Sequence, residues 1–115
     1  MSDSRRPPGE IPFEIGAAEL NTLLERGESI LLLDVRQPWE HAHARIPGST
    51  LLPLPELADR YEELDPAREI VAYCKVGERS AWAVDFLRRA GFARVRNLRG
   101  GIYGWAAEVD PRVIP

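Results

Sequence analysis

One short segment of the sequence combines a thiol with features that activate sulfur. Cys74 follows the apolar run 69–73 and precedes a segment with helical periodicity. Between them lie Lys75, Val76, Gly77, Glu78, Arg79 and Ser80. Backbone N–H groups in such a loop can converge on an anion, and a helix N-terminus adds partial positive charge. Lys75 and Arg79 add formal positive charge, so we expect Cys74 to be substantially ionised at neutral pH and nucleophilic.

A structural role for this cysteine is the alternative. Free cysteine is among the most buried residue types, and one at the end of a strand is usually a small core hydrophobe. The charged and glycine-containing loop after Cys74 is expected to be exposed, because lysine and arginine are seldom buried. That loop favours the reactive role over the structural one.

Strands and helices alternate along the chain. Apolar runs predict strands at residues 13–15, 30–35, 50–53, 69–73 and 93–98. Helical spacing and stop signals predict helices at 17–26, 55–64, 80–90 and from 100 through Trp105. Residues 1–12 are predicted to be an irregular lead-in, 37–48 to be irregular, and 13–115 to form one domain. This alternation indicates an α/β fold: an open, five-stranded, mostly parallel sheet with helices on both faces.

Such a sheet places ligands beyond the carboxyl ends of its strands. Asp34, Val35 and Arg36 end one predicted strand and Cys74 follows another, so these are the residues at which a site is expected. We expect Asp34 and Arg36 to support the site by ion pairing that fixes the neighbouring loops, rather than to catalyse. His41 and His43 are expected at the surface, and the tryptophans Trp82 and Trp105 in packing positions.

Composition narrows the functional classes. The chain has 115 residues with 15 basic and 18 acidic side chains, a formal charge of −3. Its single cysteine excludes an internal disulfide and any multi-cysteine metal site, and two histidines in one short segment do not make a metal site either. We therefore expect no metal and no cofactor. No apolar segment is long enough for a membrane helix or a signal sequence, so a soluble, cytoplasmic protein is expected.

Positive charge is concentrated in one stretch. Residues 75–99 hold seven basic and two acidic side chains, a net charge of +5 that leaves −8 for the remainder. Such a stretch could attract nucleic acid, a small anion or an acidic partner. No nucleic-acid motif accompanies it, and an ordinary solvated surface is the simplest explanation.

The loop resembles a known active site. Cys-Lys-Val-Gly-Glu-Arg-Ser is similar to the Cys-x-x-Gly-x-Arg-Ser loop of rhodanese-like sulfurtransferases. Other segments resemble the family's signatures in the family's order: Leu32-Leu-Asp-Val-Arg36, Trp39-Glu40, Ile46-Pro-Gly-Ser49 and Leu98-Arg-Gly-Gly-Ile-Tyr-Gly-Trp105. The resemblance covers residues 13–108, and it extends to single rhodanese domains fused to adenylyltransferases of thiamine and molybdopterin synthesis.

The resemblance implies a persulfide relay. Cys74 would take sulfur from a small anionic donor such as thiosulfate and pass it to a nucleophilic acceptor. Backbone amides of residues 75–80 would hold the terminal sulfur, and Lys75 would lie at the pocket mouth. Arg79 would either neutralise the donor or fasten the loop. A sulfur-carrier protein or a cysteine desulfurase is an expected partner, whereas nucleic acid and membrane are not.

Two other functions use the same fold. Phosphatases and arsenate reductases with the rhodanese fold have a Cys-x5-Arg loop, but here Arg79 gives Cys-x4-Arg, which resembles the sulfur-transferring branch. The other alternative is a non-catalytic docking module for sulfur relay, and the presence of Cys74 argues against a module without any role in sulfur handling. Without a second cysteine, a sulfur on Cys74 must leave to another molecule.

Overall fold

The computed structural model describes residues 11–113. In that range, the strands are β1 (Glu14–Ile15), β2 (Ile30–Asp34), β3 (Thr50–Leu51), β4 (Glu69–Tyr73) and β5 (Val95–Leu98). The helices are α1 (Ala17–Glu25), α2 (Pro38–His43), α3 (Leu57–Arg60), α4 (Glu78–Arg89) and α5 (Gly101–Glu108), and short 3-10 turns cover Leu54–Glu56, Tyr61–Glu63 and Pro111–Val113. Most of the predicted lead-in 1–12, and the last two residues of the predicted domain 13–115, lie outside the described residues.

The strands form one sheet in the order β1-β5-β4-β2-β3, and every pairing is parallel. The predicted α/β class is therefore confirmed, and the sheet is more uniformly parallel than expected. Parallel sheets need cover on both faces, which explains why the central strands are continuous apolar runs.

The two faces of β4 build two halves of the core. Val71 and Tyr73 pack on the side that α1 and α5 cover, whereas Ile70, Ala72 and Cys74 pack on the side of α3 and α4. Successive side chains of a strand point to opposite faces, so this division follows directly from the sequence. Cys74 thus closes the α3/α4 half of the core at the carboxyl end of β4.

The sequence prediction missed α2, which lies inside the segment 37–48 that was expected to be irregular. Pro38 occupies the first helical turn, where its fixed φ suits a helix and its missing N–H costs nothing. The Gln37 N–H donates to Glu40 Oε1 at 2.9 Å, which closes the helix start. Six residues are too few for clear helical periodicity, so the start signals alone could have indicated this helix.

Two further expectations need correction. The helix predicted at 80–90 begins two residues earlier, at Glu78, and this leaves a shorter loop after Cys74. The helix predicted at 55–64 is divided into a short α3 between two 3-10 turns. Within residues 11–113, no helix has the length and apolar character to cross a membrane.

Candidate active site

The carboxyl ends of β2 and β4 bring the predicted site residues together. Asp34 is paired in register with Tyr73, and the Val35 N–H donates to Tyr73 O at 3.1 Å. Cys74 comes directly after this pair, at the edge of the sheet where the loops to α2 and α4 begin. The register therefore places Cys74 directly after the residue that pairs with Asp34.

Cys74 Sγ lies against the start of α4 and accepts hydrogen bonds from two residues. The Gly77 N–H donates at 3.1 Å, the Ser80 N–H at 3.4 Å, and Ser80 Oγ lies 3.3 Å away. Charge-assisted donation and the positive end of a helix both stabilise a sulfur anion. The loop residues Lys75 and Val76 are exposed as expected, but the Cys74 residue is only 1% exposed, so the sulfur lies beneath the loop.

The carbonyl groups of the loop are held on the opposite side from the sulfur. The N–H groups of Ile102 and Tyr103 in α5 donate to the carbonyl oxygens of Cys74 at 2.9 Å and Lys75 at 3.1 Å. Gly77 has a φ of +107°, a left-handed conformation that glycine adopts without strain, and its N–H is one of the donors to Sγ. The loop therefore presents donors to the sulfur and acceptors to α5.

The Arg79 side chain joins α4 to α2. Its Nη1 and Nη2 donate to Glu40 Oε1 and Oε2 at 2.7 and 3.0 Å. This bidentate hydrogen bonding is the main reason that the pKa of Glu40 falls to about 2. Of the two expected roles for Arg79, the geometry matches the fastening of the loop.

Asp34, Arg36 and His41 form a buried polar cluster under α2. Arg36 Nε and Nη2 donate to both carboxylate oxygens of Asp34 at 2.9 and 2.8 Å, and Nη2 also donates to Ala44 O at 2.6 Å. His41 Nδ1 lies 2.8 Å from Asp34 Oδ2 and must carry the proton there, because a carboxylate only accepts. Burial opposes ionisation of Asp34, but these hydrogen bonds outweigh it and lower its pKa. The cluster fixes the β2–α2 loop, as expected for Asp34 and Arg36.

The prediction for the histidines is half wrong. His43 is exposed, but His41 is largely covered because its ring is turned inward to Asp34. The prediction for the tryptophans is also half wrong. Trp105 is buried in the core with 5% exposure, whereas Trp82 on α4 is 74% exposed and does not pack as expected.

A cavity of about 160 Å³ opens beside the sulfur loop. It is lined by Arg36, Trp39, Glu40, His43, Lys75 and Tyr103. Lys75 Nζ lies 5.2 Å from the centre of the Tyr103 ring, so the cation is held by an aromatic face and not by a carboxylate among the described residues. A small anion would find in this cavity an ammonium group with no competing ion pair.

The family model of the rhodanese-like domain matches residues 16–108. The chain belongs to the rhodanese-like family. It is 40% identical over 102 residues to a sulfurtransferase of Allochromatium vinosum, covering 89% of this chain and 95% of that one. It is also 37% identical over 98 residues to the probable adenylyltransferase/sulfurtransferase MoeZ of Mycobacterium tuberculosis, covering 84% of this chain but 25% of MoeZ.

Solved structures show the same likeness. The rhodanese-related protein of Thermoplasma volcanium is similar with a TM-score of 0.77 at 32% identity, covering 85% of this chain and 94% of that one. The human single-domain sulfurtransferase TSTD1 has a TM-score of 0.76 at 27% identity, covering 85% and 98%. These neighbours confirm the rhodanese fold that the sequence motifs indicated.

In this rhodanese-like domain the basic stretch does not form one cationic surface. Several of its arginines are paired: Arg79 with Glu40, Arg89 with Asp85, and both Arg94 and Arg96 with Glu69. These ion pairs offset part of the positive charge of residues 75–99. Within residues 11–113, no group of three or more histidine, cysteine, aspartate or glutamate side chains could hold a metal ion.

The sequence reasoning missed Asn97, which touches the sulfur loop of the domain from β5. Its Oδ1 accepts a hydrogen bond from Ser80 Oγ, and its Nδ2 donates to Gly77 O at 3.1 Å. A polar amide between Val95 and Leu98 in a predicted strand was the available signal, because buried amides need partners. Sequence alone could not show that the partners belong to the loop after Cys74.

Proposed function

We propose that this protein is a sulfurtransferase that carries sulfane sulfur as a persulfide on Cys74. The observation that carries the proposal is that donors from Gly77 and Ser80 hold Cys74 Sγ. The adjacent cavity is lined by Lys75, whose ammonium group has no carboxylate partner among the described residues. Membership of the rhodanese-like family, with sulfurtransferase relatives at up to 40% identity among those compared, supports the reaction type.

The first half-reaction loads the cysteine. The Cys74 thiolate attacks the outer sulfur of thiosulfate, the S–S bond of thiosulfate breaks, and sulfite leaves with the bonding electron pair. The product is Cys74–S–S⁻, whose charge needs donors in a site that largely excludes water. Gly77 and Ser80 supply such donors to Sγ. The backbone amides of residues 75–80 would hold the outer sulfur.

The second half-reaction removes the outer sulfur from Cys74. A nucleophilic acceptor attacks the outer sulfur, and the S–S bond to Cys74 breaks to regenerate the thiolate. No other cysteine exists in the chain to resolve the persulfide, so the acceptor belongs to another molecule. The relatives include MoeZ and the putative sulfur carrier protein YrkF of Bacillus subtilis, and this supports a sulfur-carrier protein as partner. A cysteine desulfurase is the proposed alternative donor, because its persulfide would offer the same sulfane sulfur. A thiol-dependent relay also suits the cytoplasm, where thiols stay reduced.

The remaining loop residues have separate proposed roles. Lys75 attracts the anionic donor to the cavity, and Arg79 fastens the start of α4 through Glu40. Val76 and Glu78 are exposed at the rim of the loop, where they contribute backbone and contact surface. Asp34 and Arg36 hold the opposite wall in place through their buried ion pair.

Intact mass after incubation with thiosulfate tests the proposal. The wild type is expected to gain the mass of one sulfur atom, and dithiothreitol should remove it. Cys74→Ala is the matched control and should show no gain. A wild type that gains no sulfur from thiosulfate or from a protein persulfide, or a Cys74→Ala variant that gains as much, would contradict the proposal.

The same preparation separates the two alternatives. The phosphatase or arsenate reductase reading predicts Cys74-dependent turnover of an aryl phosphate or of arsenate. It is disfavoured because the loop is one residue shorter and Arg79 is bound to Glu40. The docking-module reading predicts negligible turnover and an affinity for an acidic partner that survives Cys74→Ala and weakens with salt.

A further inference from the structure

The buried amide of Asn97 has a partner for each of its hydrogens. Its Nδ2 donates to Gly77 O at 3.1 Å and to Glu14 Oε2 at 3.2 Å, and its Oδ1 accepts from Ser80 Oγ. The opposite amide orientation would place Oδ1 against two further oxygen acceptors, so the hydrogen-bond partners fix the orientation. Asn97 is only 1% exposed, and a buried amide in which every hydrogen is bonded is held rigidly.

The two loop residues that Asn97 holds are the two that hold the sulfur. Gly77 and Ser80 supply the three donors around Cys74 Sγ at 3.1, 3.4 and 3.3 Å. The hydrogen bond to Gly77 O fixes the peptide group after Gly77, and the bond to Ser80 Oγ fixes the first turn of α4. Glu14 ties the same amide to β1, so the sulfur loop is braced against the far edge strand of the sheet.

We infer that Asn97 is a positioning residue for Cys74, because it aligns the donors of Gly77 and Ser80 with Sγ and thereby stabilises the sulfur anion. This inference rests on the proposed function for its role in turnover, but its effect on the thiol is measurable without any sulfur donor. Asn97 acts through Gly77 and Ser80, since no hydrogen bond joins it to Sγ in the described structure.

The hydroxyl group of Ser80 has more acceptors within reach than it has protons to donate. It carries one proton but has two acceptors within reach, Cys74 Sγ and Asn97 Oδ1. With a neutral thiol, the S–H can donate to Ser80 Oγ while the hydroxyl donates to Asn97. With an anionic sulfur, the hydroxyl proton can turn to Sγ, and the two backbone N–H groups donate in both states. The alignment of the backbone donors is therefore the constant contribution of Asn97.

The test is the pH dependence of Cys74 alkylation by iodoacetamide in the wild type and in Asn97→Ala. We expect the alkylation profile of the variant to move to higher pH, because misaligned donors stabilise the thiolate less. We expect persulfide formation from thiosulfate to slow about tenfold or more through kcat, with KM within about twofold, since the donor-binding cavity is intact.

Arg96→Gln is the matched control for a merely structural role. Arg96 precedes Asn97 on β5, is also buried, and pairs with Glu69, away from the sulfur loop. Its loss should lower thermal stability and leave the alkylation profile in place. If Asn97→Ala does not fold, Asn97→Thr replaces it, because threonine suits a strand and its hydroxyl supplies one polar group in place of the amide, and an intermediate shift is expected.

The outcomes separate this inference from the proposed function. An unchanged profile in a folded Asn97 variant, or an equal shift in Arg96→Gln, overturns the inference. A shift to lower pH also overturns it, since Asn97 would then act by withholding the Ser80 proton from the sulfur. If the wild type takes up no sulfur at all, the proposed function fails, and the alkylation comparison still decides whether Asn97 positions the donors.

Discussion

Arg79 in the first turn of α4 and Glu40 in α2 form a bidentate ion pair, with N–O distances of 2.7 and 3.0 Å. Glu40 Oε1 also accepts the Gln37 N–H that starts α2, so one carboxylate serves both helices. The pair therefore connects the loop that holds Cys74 with the opposite wall of the cavity. Arg79 thus contributes to the frame of the cavity through its pairing with Glu40.

Loss of the Arg79–Glu40 ion pair is expected to slow sulfur loading strongly and to lower the stability of the fold modestly. Arg79→Ala should lower the free energy of unfolding by about 1 to 2 kcal/mol, because the guanidinium is partly exposed. The rate of persulfide formation should fall about tenfold to a hundredfold, since a small displacement of the loop misaligns the reacting sulfur. Stopped-flow mixing with thiosulfate measures the rate, and urea unfolding measures the stability.

Arg79→Lys distinguishes charge from geometry. Lysine keeps the charge but cannot make two parallel hydrogen bonds to one carboxylate, so it should recover little of the lost rate. A fully active Arg79→Lys variant would show that a positive charge near the donor is sufficient, and that the fastening by Glu40 is unimportant.

The Arg79–Glu40 pair should also make the free energy of unfolding depend on pH in acid. The unfolded chain protonates Glu40 near its ordinary pKa of 4.5, whereas in the fold the pKa of Glu40 is lowered to about 2, chiefly by the hydrogen bonds from Arg79. Between these pH values the unfolded state binds more protons, so this contribution to stability is complete above about pH 5 and is lost as the pH falls toward 2. Glu40→Gln should reduce this loss of stability in acid by about 1 kcal/mol, because the Arg79 side chain is partly exposed. Urea unfolding at several pH values between 2.5 and 6 measures it, and an equally steep loss in the variant would assign the acid sensitivity elsewhere.

The sequence predicted the sheet because its central strands are strong local signals. The apolar run 69–73 forms β4 with the bounds expected, and the parallel fold follows from the alternation of elements. The position of Cys74 beyond that strand was predictable for the same reason. The contacts of Asn97 and Glu40 with the loop were not, because they join residues 20 and 39 positions apart and depend on the final packing of β5 and α2.

Tyr73 is expected to make the protein sensitive to alkali. Its hydroxyl accepts the Ile46 N–H at 3.2 Å, lies 2.8 Å from Ser49 Oγ and donates to Asp34 Oδ2 at 3.2 Å. Burial is the main cause that raises the pKa of Tyr73 to about 12. An unfolded tyrosine ionises near 10, so between pH 10 and 12 the folded state keeps a proton that the unfolded state loses, and stability falls as the pH rises.

Tyr73→Phe should remove that alkaline slope. The variant should also cost about 1 to 3 kcal/mol at neutral pH, since the Ile46 N–H and the Ser49 hydroxyl lose a buried partner. The comparison is urea unfolding of both proteins at pH 7, 10 and 11.5, with Tyr103→Phe at the exposed cavity rim as the control. Parallel slopes for wild type and Tyr73→Phe would contradict the assignment.

Gly101 is expected to be the least replaceable glycine of the described structure near the site. Its φ is +59°, and a Cβ there would lie 2.5 Å from the carbonyl oxygens of Cys74 and Lys75. Gly101→Ala should therefore cost about 2 to 4 kcal/mol and displace the sulfur loop, because the clash is with backbone. Gly27→Ala is the control, since Gly27 has a φ of +83° but no atom within 4 Å of the added Cβ, and it should cost about 1 kcal/mol. Thermal unfolding and thiosulfate turnover are measured together, and equal losses in the two variants would show that only the backbone conformation matters.

Lys75 should govern affinity for an anionic donor and not the chemical step. Lys75→Gln is expected to raise the KM for thiosulfate about tenfold with kcat nearly unchanged, because the ammonium group attracts the donor but does not contact Sγ. The difference from wild type should shrink as salt rises from about 20 to 500 mM, since screening weakens the attraction in both proteins. Arg26→Gln is the control: it removes one charge at the end of α1, next to the amino ends of the strands and away from the site, and it should leave KM unchanged. A KM that rises equally in both variants, or a difference that persists at high salt, would mean that Lys75 acts through the shape of the cavity beside Tyr103 and not through its charge.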